Sequence, residues 1–388
     1  MSSVEEFRAE IRAWLADHLV GEFAELRGRG GPGREHEAFE ARLAWERHMA
    51  AHGWTCVGWP VEHGGRGASL EEQIAFHEEY ARADAPARVN HIGEQLLGPT
   101  LIAFGTEEQK KRFLPPIVAV EELWCQGYSE PDAGSDLANV RTRGALSPDG
   151  SQWVVDGQKI WTSLAHEAQW CFVVARTEPG SRRHAGLSYL LVPLDQPGGR
   201  VDIRPIVQLT GTSEFNEVFF GGARTDASHI VGEPGDGWRI AMATLGFERG
   251  VSTLGQQVGF RREWDGLAAL ARKNGAMADP LIRDRLVQAW IDLEAMAASA
   301  RRGVDPSVGK LHWAAWHRGL GELAMDVCGA ASTVAAGKPN EPNEPYALDD
   351  WQRLFLFSRA DTIYAGSDEI QKNIVAERLL GLPKEAPV

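Results

Sequence analysis

The sequence predicts an α+β chain in three successive parts. These are an N-terminal helical domain over residues 1–122, an all-β middle domain over 123–232 and a C-terminal four-helix bundle over 233–388. Three observations predict it. Apolar residues recur at helical spacing from Val4 to about Val120. Short β-rich runs punctuated by turn residues replace that period from Leu123 to about Val231. Helical periodicity returns at Gly237 and persists.

In the first part, Val4, Phe7, Ile11, Trp14, Leu15 and Leu19 mark one face of a helix, and residues 37–52 give a second amphipathic stretch. Ser69 with Glu72, and Thr106 with Gln109, have the spacing that opens a helix with reciprocal caps. Pro115 and Pro116 are expected to stop the second of these. In the middle part, Trp153–Asp156 precedes Gly157, while Trp170–Ala175 is continuously apolar, as a strand buried on both faces would be. Leu187–Val192 and Val218–Phe220 are similar, and turn chemistry sits at 147–150 and 196–199. In the last part, long periodic segments cover 238–274, 280–302 and 307–335, and another begins near Asp349. Three prolines within 338–345 require a loop there. Four long helices in succession suggest a bundle.

Composition narrows the function classes. A formal net charge of −14 repels phosphate backbones, so nucleic-acid binding is not expected. Cys56, Cys125, Cys171 and Cys328 form no close pair, so neither a zinc ribbon nor a disulfide framework is expected, which suits a reducing cytoplasm. No basic segment followed by an apolar one opens the chain, and no run approaches the ~20 apolar residues of a membrane span. The glycines Gly64, Gly65 and Gly67 lack the Lys-Ser/Thr of a phosphate loop and follow no strand, so they read as an inter-helix loop. There is no His-Glu-x-x-His and no calcium loop, and no metal is expected.

Two segments stand out as candidate ligand sites. Tyr128–Asp136 runs from an aromatic strand end into a tight turn, where small residues and the hydroxyls of Ser129 and Ser135 would admit a polar ligand. Asp156–Ser163 places Trp161 beside Thr162 and Ser163, an indole that could cover a flat ring with hydroxyls at its edge. An ordinary hairpin turn and a core Trp are the alternative readings of each taken singly.

In this order and spacing the segments resemble the acyl-CoA dehydrogenase family. Pro60–Gly67 resembles its N-terminal domain loop, and Ser129–Asp136 its first signature. Gly157, Lys159 and Trp161 resemble its flavin-covering strand, and Ile363–Lys372 its second signature. The resemblance spans nearly the whole chain. It implies a middle β-barrel between the helical domain and the bundle, bound FAD and a coenzyme A thioester substrate. It also implies oxidation of fatty-acyl or related lipid groups with an electron-transfer flavoprotein as acceptor. The expected assembly is a homotetramer built as a pair of dimers. By the same resemblance Tyr128, Ser129, Gly134, Ser135, Trp161, Thr162 and Ser163 match flavin contacts, and Ser135 also lies toward coenzyme A. Ser367 and Glu369 match a further FAD-contacting stretch, and Tyr364, Ala365 and Gly366 a substrate-facing one. Gly329 matches a Gly-Gly loop near the adenosine half of a neighbouring subunit's FAD, with Ala330 in place of the second glycine. Arg272 is the candidate for the FAD pyrophosphate, in a stretch that departs from the family's Arg and Gln pattern.

The base is where the sequence departs from the commonest pattern. Many family members carry a Glu directly after the signature Tyr, where this chain has Ala365. A subset carries it on the first bundle helix before an Arg, the place of Glu248 and Arg249, the latter matching a substrate-side arginine. At helical spacing Glu248 shares its face with Ala241, Thr244, Leu245, Val251, Ser252 and Gly255, a strip expected to face inward. A carboxylate there would be partly desolvated, which raises its pKa toward the useful range. Ala365 keeps the backbone N–H that in the family helps polarise the thioester carbonyl. The base on the bundle helix occurs in family members acting on branched, long or bulky chains, including sterol side chains. Two other roles fit the same fold: an oxidase or flavin monooxygenase, and a partner subunit of a heteromeric dehydrogenase whose other chain completes the site.

Overall fold

The computed structural model describes residues 3–248, 252–335 and 346–384, with the side chains of Glu248 and of residues 252–255 outside that description. The 338–345 loop expected from its prolines therefore lies outside the described residues. The helices of the first part are α1 (Ser3–His18), α2 (Phe39–Ala51), α3 (Leu70–Arg82), α4 (Gly98–Phe104) and α5 (Glu107–Val118). In α1 the stripe Phe7, Ile11 and Leu15 is buried, as its spacing requires. Both reciprocal caps form. Ser69 N donates to Glu72 Oε2 at 2.8 Å and Glu72 N to Ser69 Oγ at 3.3 Å. Thr106 and Gln109 make the equivalent pair at the start of α5. The expected stop at Pro115 does not occur, and α5 continues to Val118. Two amide donors are missing there, but Leu114 and Ile117 are buried on either side, and that packing outweighs the lost bonds.

The middle part is an eight-stranded sheet. Its strands are β1 (Trp124–Gly127), β2 (Arg143–Leu146), β3 (Gln152–Ser163), β4 (Trp170–Arg176), β5 (Leu187–Pro193), β6 (Val201–Ile206), β7 (Phe215–Asp226) and β8 (Ile230–Val231). The order is β6-β7-β3-β2-β4-β5-β8, with β1 parallel to β4. Strand β4 is buried on both faces, as its continuous apolar run predicts. Its Cys171 and Val173 pack with Trp153, Val192 and Phe220. Phe172 and Val174 face the other way, toward Phe113, Ile117, Trp124 and Ile240. The β-rich run at Trp153–Asp156 and the candidate segment Asp156–Ser163 lie in one strand, β3. Gly157 does not end it, because it accommodates a register shift at Val155/Asp156. A side chain at Gly157 would meet Thr142 Oγ1 at 2.5 Å, so the close approach of β3 requires glycine.

The last part contains α6 (Gly237–Glu248), α7 (Ser252–Asn274), α8 (Pro280–Arg301), α9 (Pro306–Cys328), α10 (Asp350–Phe357) and α11 (Asp368–Ile374). Asp279 and Asp305 each cap the second amide of a helix opened by proline, α8 and α9 respectively. The chain divides into two compact units, one of Met1–Phe76, Ala83–Gln208 and Ser213–Gly250, the other of His77–Arg82, Leu209–Thr212 and Val251–Val388. Helix α6 belongs to the first, where Ile240 and Ala241 are buried in the same core as Tyr189, and the hydroxyls of Thr244 and Thr100 lie 2.8 Å apart. Helices α7–α10 form the bundle of the second, around Phe260, Leu267, Leu286, Leu293, Trp313, Leu320 and Leu323. The single helical segment expected at 238–274 is helix to Glu248 and again from Ser252, and Arg249 lies outside the described residues.

Candidate active site

In the first unit, the Tyr128–Asp136 turn is fastened to the middle of β3. Ser129 O accepts the amide of Ile160 at 2.9 Å, and Glu130 and Ala133 exchange two backbone hydrogen bonds at 3.0 Å that close the turn. Below it lies Lys159, fully buried. Its ammonium donates to Tyr128 O at 3.0 Å, to Glu130 Oε1 at 2.8 Å and to Val174 O at 2.8 Å. The Glu130 carboxylate also accepts the amides of Arg141 at 2.6 Å and Thr142 at 2.8 Å. A buried ion pair is costly unless its polar atoms are answered; here all three ammonium protons are donated and the carboxylate accepts three hydrogen bonds. Burial pushes the Glu130 carboxyl up, but the charge and hydrogen bond of Lys159 outweigh it and leave the carboxyl below its ordinary value. Burial likewise lowers the Lys159 ammonium, against the pull of Glu130. Both residues lie within the quoted motifs, yet the sequence reading gave neither a role. Only their meeting across 29 residues of chain shows that they lock the turn to the strand.

The backbone is strained beside this lock. Trp161 has φ +60°, within the second register shift of β3, between Lys159 and Thr162. The residue is 56% exposed, with the edge of the Phe215 ring 6.2 Å from its indole. The next residue, Thr162, is fully buried, and its hydroxyl has no hydrogen-bond partner among the described residues, while its carbonyl accepts from Asn216 Nδ2 at 3.0 Å. An unanswered buried hydroxyl costs about 1–3 kcal/mol. Ser163 is half-buried, as is Ser129, and Tyr128 is buried between Phe172 and Tyr189. Gly134 and Ser135 lie exposed on the turn, with open space where a side chain at 134 would project. The first unit thus brings together Tyr128, Ser129, Trp161, Thr162 and Ser163: an exposed indole and, next in the chain, a buried hydroxyl with no partner among the described residues. This suits a flat ligand with polar edges.

In the second unit, Tyr364, Ala365 and Gly366 form a tight turn before α11. Ala365 has φ +52° and Gly366 φ +85°. Gln371 Nε2 ties the turn by donating to Ala365 O at 3.1 Å, and Ser367 caps α11 by accepting the amide of Ile370 at 3.4 Å. Ala365 is exposed, and among the described residues its N–H meets no acceptor. The turn rests on a buried relay. Tyr364 Oη donates to Asp361 Oδ1 at 2.6 Å, His317 Nδ1 donates to Asp361 Oδ2 at 2.6 Å, and His317 Nε2 donates to Glu263 Oε2 at 3.1 Å. Lys310 donates to Asp361 O and lies over the rings of Trp313 and Tyr364. Burial alone would lower the His317 pKa. The charge of Glu263 and the hydrogen bonds to both carboxylates outweigh it and hold the imidazolium up to about 10. Sequence reading missed this relay, because its members come from α7, α9 and the segment before α11.

Of the remaining candidates, Arg272 is exposed on the last turn of α7. Gly329 ends α9 with φ +60°. The two helix ends are tied by Asn274 Nδ2 donating to Val327 O at 2.8 Å. Glu369 is exposed in the first turn of α11, where its own amide and then the Ser367 hydroxyl hold its carboxyl below the ordinary value. Glu248 is the last residue of α6. Of its helical neighbours, Ala241 and Thr244 are buried and Leu245 packs on the core.

Family models of the acyl-CoA dehydrogenase N-terminal, middle and C-terminal domains match residues 2–121, 125–221 and 235–380. Acyl-CoA dehydrogenase IpdE1 of Mycolicibacterium smegmatis is 65% identical, over 99% of each chain. IpdE1 of Mycobacterium tuberculosis is 65% identical over the whole of both. Among solved structures, the Tcur3481-Tcur3483 steroid ACAD is similar with a TM-score of 0.82 at 30% identity, over 99% of each chain. Its helical, β and helical domains in that order, its two signature turns and these matches along its length make this chain a member of the acyl-CoA dehydrogenase family, an oxidoreductase acting on acyl-CoA.

Proposed function

We propose that the chain carries out FAD-dependent α,β-dehydrogenation of an acyl-CoA thioester to the trans-2-enoyl-CoA, with Glu248 as the base that removes the α-proton. The observation that carries the cofactor reading is the buried, unpartnered Thr162 hydroxyl beside the exposed Trp161 ring. Such a pair suits the polar edge and the face of an isoalloxazine, and the side-chain-free Gly134 leaves the turn open to it. Tyr128, Ser129, Ser135 and Ser163 would complete that hold, with Arg272, Gly329, Ser367 and Glu369 toward the rest of FAD. When bound, FAD supplies the acceptor for the β-hydride.

The chain's own residues do the remaining work. Ala365 cannot take a proton, and Glu248 stands at the family's alternative base position. The α6 face leading to it is apolar, which would desolvate the carboxylate and raise its pKa toward neutrality. The N–H of Ala365, free of any protein acceptor among the described residues, would polarise the thioester carbonyl and so stabilise the enolate-like charge. Tyr364, Gly366 and Arg249 would line the substrate side. The domain limits 1–122, 123–232 and 233–388, electron transfer to an electron-transfer flavoprotein and a cytoplasmic location belong to the same reading. Among the described residues no helix is long and apolar enough to cross a membrane. Similarity to a steroid ACAD at 30% identity, together with the base position, favours a bulky sterol-derived acyl group.

Anaerobic flavin bleaching with a panel of acyl-CoA thioesters tests this. Glu248→Gln is expected to keep its flavin spectrum and its acyl-CoA affinity, while its bleaching slows by roughly 1000-fold, within the usual range for a lost general base. Bleaching at a near-normal rate would remove Glu248 from the role. Oxygen uptake by the wild-type chain with substrate and no other acceptor would favour an oxidase instead.

A further inference from the structure

Outside the dehydrogenase site, three histidines that are 34 residues apart in sequence at their extremes meet in space. His18 ends α1, His48 lies in the last turn of α2, and His52 follows that helix. One ligand nitrogen from each lies within 4.8 Å of the others, and the group contains no carboxylate. His18 Nδ1 and His48 Nε2 are 2.8 Å apart. His52 Nδ1 donates to His48 O at 2.8 Å, which fixes the tautomer and leaves the Nε2 lone pair unused. The ring of Trp14 stacks on His18 at 4.6 Å and backs His48 and His52 at 5.8 and 5.7 Å.

We propose that His18, His48 and His52 form a binding site for a divalent transition ion of the zinc class, fastening the end of α1 to the end of α2. His48 and His52 have the i, i+4 spacing that puts two imidazoles on one helical face. His18 supplies a third from a separate helix. The hydrogen bond from His52 Nδ1 to a backbone carbonyl is the outer-shell contact that orients a metal-ligating imidazole. Tetrahedral bonds of ~2.0–2.1 Å place imidazole nitrogens roughly 3.3 Å apart, so the His18–His48 pair needs to open by only about half an ångström. The proton now between those rings moves by tautomerisation to the other nitrogen of the ring that carries it, freeing both facing lone pairs, and the fourth position is left to water at the exposed His52 side. Three imidazoles select zinc, nickel or copper over magnesium and calcium, which require oxygen ligands. No local sequence pattern announces the site, because its third ligand comes from another helix.

The untagged full chain, treated with chelator and desalted, is titrated calorimetrically with Zn2+, and with Mg2+ for comparison. One Zn2+ per chain is expected, with no Mg2+ heat and a rise in Tm on zinc addition. Co2+ in its place should give the visible absorption of a four-coordinate site. His18→Gln and His48→Gln should each weaken zinc binding roughly ten-fold or more, with the far-ultraviolet spectrum of the wild type. As a readout that needs no variant, Zn2+ should protect these three histidines of the wild type from diethyl pyrocarbonate. Equal zinc affinity in the wild type and in folded His18→Gln and His48→Gln chains, or unchanged modification of the three rings with Zn2+ present, would overturn the proposal.

Discussion

On the proposed reading of the site, Thr162 links stability to ligand binding through a single side chain. Its hydroxyl is buried and has no partner among the described residues, which costs the folded chain stability. Thr162→Val keeps the shape and removes the orphan. The flavin-free variant should therefore be as stable as the wild type or more so, by up to about 1–3 kcal/mol. Its affinity for FAD should fall roughly ten-fold for the loss of one hydrogen bond. Chemical denaturation of the flavin-free chain and a flavin fluorescence titration check the two halves. A drop in stability with unchanged FAD affinity would mean that Thr162 serves only the core. Beside it, Trp161 holds φ +60° with its side chain exposed, a costly backbone conformation next to the proposed flavin site.

At the scale of elements, each signature turn is held by a buried ionic lock contributed by other elements. Lys159 of β3 and Glu130 of the turn join the first signature to its strand. Glu263 of α7, His317 of α9 and Asp361 join the second to the bundle. The second lock should be visible in pH dependence. The folded pKa of His317, about 10, lies above its unfolded value of about 6.5. The folded state thus binds the extra proton, and stability rises with falling pH across that interval. The contribution is fully present below about pH 6.5 and lost as pH rises through about 10. His317→Gln should lower Tm most near pH 6 and least above pH 10. Melting curves across that range decide it, and a pH-independent difference would mean that the imidazole acts by packing alone. The same substitution should raise KM for acyl-CoA if the relay positions Tyr364 and Ala365.

For the whole molecule the open matter is assembly. The similar structures include a Tcur3481-Tcur3483 steroid ACAD and, at 27% identity, the ChsE4-ChsE5 complex of Mycobacterium tuberculosis, each named for two components. Ala330 and Ala365, which depart from the family's commonest pattern, are the positions a heteromeric reading of this chain rests on. If this chain forms a homotetramer, expressed alone it should purify yellow with one FAD per chain, at four times 42.6 kDa by light scattering. A colourless chain that takes up FAD only with a second subunit would establish the heteromeric form.

The order of helical, β and helical parts was legible in the sequence because burying one face of each element writes a period into it, 3.6 in α1 and an unbroken apolar run in β4. The first signature turn was legible as a turn from its small and hydroxyl residues, and the second only by its resemblance to the family. Helix α5 passing through Pro115 and Pro116 was not legible, nor was the continuation of the Trp153–Asp156 run through Gly157 to Ser163 in one strand, because long-range packing overrides local propensity there. Tertiary structure alone decided what binds what. Lys159 meets Glu130, His317 meets Asp361, and His18 meets His48 only once distant segments pack together. Hydrogen bonds and charges act over a few ångströms of space, so a linear order records which groups are present and not which of them become neighbours.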